Sequence, residues 1–265
     1  LQLSVTIQTV IDFMVKEPIP NTVDGLLTGS PDEKVEAIAV AFMPSQYVIE
    51  EAIVRGANLL ITHEGLYYAH RDPVEALKQD AVYLDKKDRI RLSGIAIYRN
   101  HDSVHRVQPD LITAGLIEQL AWSNDVAEVR DYASIVKLPV AKTLGEIVQE
   151  VKEKLGIGYV RIVGDPSTPC QRIGLSVGYR GSASVMLPLT EPEPLDLFII
   201  GEGMEWEIPA YVTDAVQQGK RKGLIVLGHA ESEVPGMKRL ADQLRSAFGG
   251  VPVHFISEKL LFQLM

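Results

Sequence analysis

Four of the six histidines in this 265-residue chain fall in short polar runs that follow apolar stretches. "NLLITHEG" ends in His63 and Glu64, "AIYRNHDSVH" in His101, Asp102 and His105, and "VLGHAESE" in His229 and Glu233. A fourth run, "FIIGEGMEWE", supplies Glu202, Glu205 and Glu207. Divalent metal ions are bound by neutral imidazole nitrogens and ionised carboxylates converging from several elements. His101 with His105, and His229 with Glu233, stand four apart, a spacing that brings each pair together on a helical turn. Taken singly, each run has a plainer reading: an i,i+4 pair on a solvated helix face, a turn entry at "THEG", or a solvated acidic loop at "GEGMEWE" with Trp206 packed beneath it. The four runs together point to a shared metal site. A pair of ions roughly 3.5–4 Å apart could clamp a phosphate or activate a bridging water.

Such a site requires strands that deliver these runs to one end of a sheet, as the carboxyl ends of strands do in open α/β folds. The sequence supplies them. "VEAIAVAF" (35–42) reads as a strand, and "PSQYVIEEAIVRG" as a helix with Ser45 as N-cap and Gly56 as its stop. There follow the strand "NLLIT", a helix opened by Asp72-Pro73, the strand "GIAIY" (94–98) and a helix near 109–121. Alternation of this kind predicts parallel βαβ units with inner strands apolar on both faces.

A second series begins with "TLGEIVQEVKEKLG", where Thr143 and Glu146 have capping-box spacing and Gly156 ends the helix. "RIGLSVG" (172–178), "LDLFII" (195–200) and "GLIVLG" (223–228) read as strands, and a helix from "PGMKRLADQLRSAFGG" with a strand "VPVHFIS" closes the chain. The stretch "SNDVAEVRDYASIVKLP" has no helical period, so the expected division is a first α/β lobe at 1–130 and a second at 131–265, with the C-terminal segment able to pack back on the first.

Weaker candidates lie elsewhere. "GYRGSAS" offers backbone N–H groups and Arg180 to an anion, but lacks a complete phosphate-loop pattern and reads better as a turn. Ser182 and Ser184 have no nucleophile-elbow motif around them. Cys170 carries no signal for catalysis, His254 reads as a core or sheet residue, and His70 as a surface one.

With 46% hydrophobic and 23% charged residues the chain is an ordered globular protein. Its formal net charge of -9 argues against a broad nucleic-acid surface, which needs Lys and Arg to displace counterions. One cysteine cannot form an intramolecular disulfide, so the expected setting is a reducing cytoplasm. The N-terminal run lacks a basic leader and reads as an amphipathic helix with Ile7, Val10, Ile11, Met14 and Val15 on one face. No apolar run approaches the roughly 20 residues of a membrane span.

On these motifs the chain resembles the Ngg-interacting-factor-three-like family of dinuclear-metal proteins, also described as GTP cyclohydrolase 1 type 2 homologues. "VDGLLTGSPDEKVEAIAVAF" is similar to the family's D-N-x-G-L-x-x-G opening and first strand. "GANLLITHEG" is similar to G-A-D-L-I-I-T-H-H-P, "HDSVH" falls at H-T-N-L-D, and "GHAESE" is similar to G-H-Y-x-S-E. The resemblance covers almost the whole chain. It implies two related α/β lobes with mixed, largely parallel sheets, a metal site in the cleft between them, and a toroidal homo-hexamer. It also implies one or two divalent ions (Zn, Fe, Mn, Co or Ni) held by His63, Glu64, His105, His229 and Glu233.

Two positions depart from the pattern. Glu64 stands where the family keeps a second histidine and His105 where it keeps an aspartate, an exchange that preserves donor count and ligand charge. "GEGMEWE" lies where the family has T-G-D-x-x-H-H, so the usual histidine pair is missing. The expected activity is a metal-dependent hydrolase acting on a nucleotide-like or small phosphorylated or cyclic substrate through a metal-bound hydroxide, with His101 and Glu202 as the candidates for proton transfer. The rival expectation is a non-catalytic metal-binding regulatory or scaffold protein.

Overall fold

The computed structural model describes residues 4–71 and 74–263. In chain order the strands begin with β1 (Gly25–Thr28), β2 (Ile38–Ala41), β3 (Leu59–Thr62), β4 (Ala96–Arg99) and β5 (Val126–Val129). They continue with β6 (Ser134–Thr143), β7 (Arg161–Val163), β8 (Pro169–Leu175), β9 (Leu197–Ile200), β10 (Gly223–Val226) and β11 (Val253–Phe255). They form two mixed sheets, so the protein is of the α/β class expected from its alternating pattern. Two compact units carry one sheet each: Leu1–Gln108 with Met237–Met265, and Pro109–Gly236.

In the first unit the sheet order is β1-β4-β3-β2-β11. β11, β2, β3 and β4 are mutually parallel, and β1 runs antiparallel to β4 at the edge. Every residue of β2, β3 and β4 is buried, which is why these strands read as continuous apolar runs. The helix Gln46–Val54 starts on Ser45, whose hydroxyl accepts from Val48 N, and Gly56 follows it at φ +69°. Val48, Ile49 and Ala52 of that helix pack with Leu60, Ile90 and Ile97 in one core. The N-terminal helix Ile7–Met14 buries Ile7, Val10 and Met14.

The helix expected to open at Asp72-Pro73 falls partly on residues outside the described set. Among the described residues, Val74–Leu77 is a single 3-10 turn and the α-helix runs from Ala81 to Ser93. Asp80 caps it, accepting from Tyr83 N at 2.9 Å, and Gly94 ends it in the left-handed conformation.

The second unit has sheet order β5-β6-β8-β9-β10-β7. β8, β9 and β10 are parallel, while β5, β6 and β7 pair antiparallel with their neighbours. The aperiodic stretch at 123–139 therefore contributes strands β5 and β6. Thr143 and Glu146 form the predicted capping box of helix Leu144–Leu155, and Gly156 closes it. The core is built from Phe198, Ile200, Ile208, Val212 and Leu224. The last helix begins at His229, six residues before Pro235, and runs to Ala247 with Pro235 inside it.

Candidate functional site

His63 follows β3 directly and is fully buried. Its backbone N–H and that of Glu64 both donate to Phe42 O at 2.9 Å, so the chain end beyond β2 fixes both residues. β4 delivers Arg99 and, two residues on, His101. The short helix Asp102–Arg106 then turns His105 back onto the same place. The rings of His63 and His101 stack at 4.5 Å with 22° between their planes. His105 stands edge-on to both, at 5.1 and 5.3 Å. Ligand atoms of His63, His101 and His105 all lie within 4.8 Å of one another, and those of His63 and Glu64 do also.

Carboxylates hold this array from behind. Asp24 accepts from the backbone N–H groups of His101 and Asp102, each at 2.7 Å, and from Ser103 N at 2.8 Å and its hydroxyl at 2.6 Å. Asp102 Oδ1 lies 2.9 Å from His101 Nδ1, and Oδ2 accepts from Thr22 Oγ1 and Val23 N at 2.8 and 3.2 Å. Burial would raise the Asp102 carboxyl, but the hydrogen bonds from His101, Thr22 and Val23 outweigh it and hold the group down to about 2. Burial pushes His101 down to about 4, reinforced by the neighbouring His63 and His105. At neutral pH it is an uncharged imidazole, the form a metal ligand requires.

Arg99 is 2% exposed and donates to Glu64 Oε2 at 3.1 Å and to His63 O at 3.3 Å. His70 is exposed, yet its ring packs edge-on against His101 at 5.0 Å and its Nδ1 lies 3.2 Å from Arg99 Nη2.

In the second unit, β8, β9 and β10 end together, and their following turns gather a second cluster. His229 Nδ1 lies 3.0 Å from Glu202 Oε2 and its Nε2 3.3 Å from Glu233 Oε2. Glu233 is 2% exposed. Ser232 donates to His229 O and accepts from Gly178 N at 2.9 Å, tying the helix start to the turn after β8. Gly178 has φ +53°, and a Cβ there would collide with the Glu233 carboxylate and lie 3.2 Å from His229 Nε2. The cluster is thus packed against backbone that only glycine can supply.

The other acidic residues of "GEGMEWE" go elsewhere: Glu205 pairs with Arg161 at 3.5 Å, and Glu207 accepts from Ala183 N. Trp206 is 73% exposed and so does not pack beneath the loop as the plainer reading of this run has it. Arg180 is committed to Asp110 at 2.8 Å and lies over the Tyr132 ring, which leaves the anion-loop reading without its cation. Cys170 is buried, its thiol pushed up to about 12 by burial and then by Asp196, so it offers no thiolate. His254 lies in β11.

Three features of the first cluster escape a residue-type reading. Asp24, Thr22 and Arg99 act on it through contacts 35 to 80 residues distant in sequence.

The fold and site define a mixed α/β protein with histidine–carboxylate groups that could hold a metal at the carboxyl ends of its parallel strands. The chain belongs to the Duf34/NIF3 (NGG1p interacting factor 3) family, whose model matches residues 6–260. It is 25% identical to a GTP cyclohydrolase 1 type 2 homolog of Clostridium perfringens, over 96% of this chain and 93% of the relative. A homolog of the same description from Clostridium acetobutylicum is also 25% identical, over 88% of this chain and 84% of its own. A Staphylococcus aureus protein of known crystal structure shares the fold with a TM-score of 0.78, at 19% identity, covering 98% of this chain and 99% of that one. Reduced HcgD from Methanocaldococcus jannaschii gives 0.67 at 18% identity, covering 97% and 99%.

The donor set fits a divalent transition metal. The imidazole of His101 is held neutral, and an oxygen stands behind the rings of His63, His101 and His229, so these His and Glu groups could hold a metal ion.

Proposed function

We propose that the protein is a metal-dependent hydrolase acting on a nucleotide-like or other small phosphorylated or cyclic substrate. The observation that carries this reading is the convergence of His63, His101 and His105 on one point behind buried parallel strands. The candidate donors of the first unit are His63, Glu64 and His105, and those of the second unit are His229 and Glu233. When bound, such an ion supplies Lewis acidity and makes water nucleophilic near neutral pH. Glu202 holds His229 Nδ1, and its side chain is 44% exposed, so it can both orient that ring and exchange a proton with solvent or substrate.

The names of the relatives favour a nucleotide-like substrate, and the family resemblance favours a homo-oligomer, a hexamer in the ring form. The reading includes a cytoplasmic setting. No helix among the described residues is long and apolar enough to cross a membrane.

The test is hydrolysis of nucleotides, cyclic nucleotides and phosphoesters by protein purified without a metal-affinity resin. Activity is expected to disappear on chelation, to return with added metal, and to fall at least about 100-fold in His63→Ala and Glu233→Ala. Turnover untouched by chelator and by both substitutions would refute the proposal. The exposed Trp206 beside Met204 favours a second reading, a non-catalytic scaffold that presents this loop to a partner. Metal binding with no turnover across the same screen would support it.

A further inference from the structure

The protonation of the rings follows from their partners. His63 Nδ1 is 3.2 Å from the carbonyl oxygen of Asn100, which can only accept, so Nδ1 carries the hydrogen and Nε2 presents its lone pair. His101 Nδ1 lies 2.9 Å from Asp102 Oδ1, an acceptor whose partner oxygen is already taken by Thr22 and Val23. His101 Nε2 is therefore also a lone-pair donor. Both rings are stacked with these tautomers fixed from behind, and the donor atoms of His105 lie within the same 4.8 Å. Glu64 Oε1 stands 3.9 Å from His101 Nε2, so two electron-pair donors face one another across a gap that a cation would bridge.

The other oxygen of Glu64 is committed. It accepts from Arg99, whose remaining donors are directed to the carbonyls of His63 and His70 and to His70 Nδ1. A buried guanidinium fixed on three sides neither moves away nor loses its charge. A carboxylate with one oxygen on that group is poorly placed to bridge two ions, and a second dication on Glu64 would face the Arg99 charge.

We infer that the first unit holds one divalent ion through the imidazoles of His63, His101 and His105, with Glu64 Oε1 as its anionic donor, and that Arg99 supplies the positive charge a second ion would bring to Glu64. His101, expected from the sequence to move protons, is in this account a ligand. The inference deepens the proposed metal site and rests on that reading for the presence of an ion, but not for any reaction.

The test is a binding experiment without substrate. The full chain is stripped with chelator, titrated with Co(II) and Zn(II) by calorimetry, and assayed for metal content after equilibrium dialysis. The wild type is expected to take up one ion per chain. His101→Ala and the bulkier His101→Gln are expected to weaken Co(II) binding at least about 100-fold and to change its visible absorption, with the metal-free unfolding temperature as the folding control. Two tight ions per wild-type chain would overturn the inference, as would a folded His101 variant that binds Co(II) with unchanged affinity and spectrum. Because the wild-type stoichiometry needs no variant, the first of these outcomes holds even where a substitution prevents folding. A protein that binds one ion in this way but hydrolyses nothing removes the hydrolase proposal and leaves this one; a two-ion hydrolase does the reverse.

Discussion

Asp24 lies 77 residues before His101 in the chain, yet its carboxylate receives the N–H groups of three consecutive residues at the start of the helix that carries His105. It acts as the cap for that five-residue helix, a turn too short to persist without tertiary support. Asp24→Ala would leave three backbone donors to seek water and would cost about 2 kcal/mol of stability, within the range for loss of a cap or a charged acceptor. The variant should also bind metal more weakly than the wild type, because His101 and His105 would lose their common anchor. Urea unfolding and a Co(II) titration measure the two effects. Equal metal affinity in a measurably destabilised Asp24→Ala would show that the cap has no part in positioning the rings. His63, His101, His105 and His229 are legible in the sequence because each follows an apolar strand run. Asp24 and Arg99 are not, since nothing local distinguishes a capping aspartate or a buried arginine from a solvated one.

Elements are most legible where local chemistry and burial agree. The runs "AIAVAF", "NLLIT" and "FII" give strands buried on both faces, and Thr143 with Glu146 gives a helix start that the structure reproduces. The last helix shows the opposite case. Pro235 suggests a first turn, because its missing N–H is harmless there, but the helix already starts at His229. The early start sets His229 and Glu233 one turn apart on the same face.

Helix Leu144–Leu155 carries a pH dependence of its own. Glu150 accepts from Lys142, Lys154 and the Trp122 ring N–H. Burial raises its carboxyl, but these donors outweigh that effect and leave it below its ordinary value of 4.5. The folded state therefore binds this proton less readily than the unfolded state. The contribution is complete above the ordinary value and is lost as pH falls through the lowered one. Glu150→Gln should cost about 1 kcal/mol at neutral pH, a figure kept small by solvent screening. Its unfolding temperature should then fall less steeply than the wild type's as pH drops below the ordinary value of 4.5. Parallel pH profiles for the two proteins would contradict this assignment.

At the scale of the whole molecule, an ion that binds only the folded chain adds to stability by mass action. At a free-ion concentration about 100 times Kd the gain is about 2.7 kcal/mol. For a chain of this size that corresponds to a rise of roughly 5–10 °C in unfolding temperature. The donors inferred for the ion arrive on β3, on β4 and on the helix that follows β4, and β11 closes the same sheet from the far end of the sequence. Loss of the ion should therefore be felt by a sheet assembled from both ends of the chain. Calorimetry of chelator-treated and metal-loaded protein should show the rise in the wild type and its absence in His101→Ala at the same ion concentration. The two metal-free proteins should unfold within about 2 °C of each other if the substitution acts through the ion alone. A wild-type unfolding temperature that does not respond to metal would mean that the imidazoles of the first unit are a packed polar cluster, whose hydrogen bonds to Asn100 and Asp102 serve the fold and not an ion.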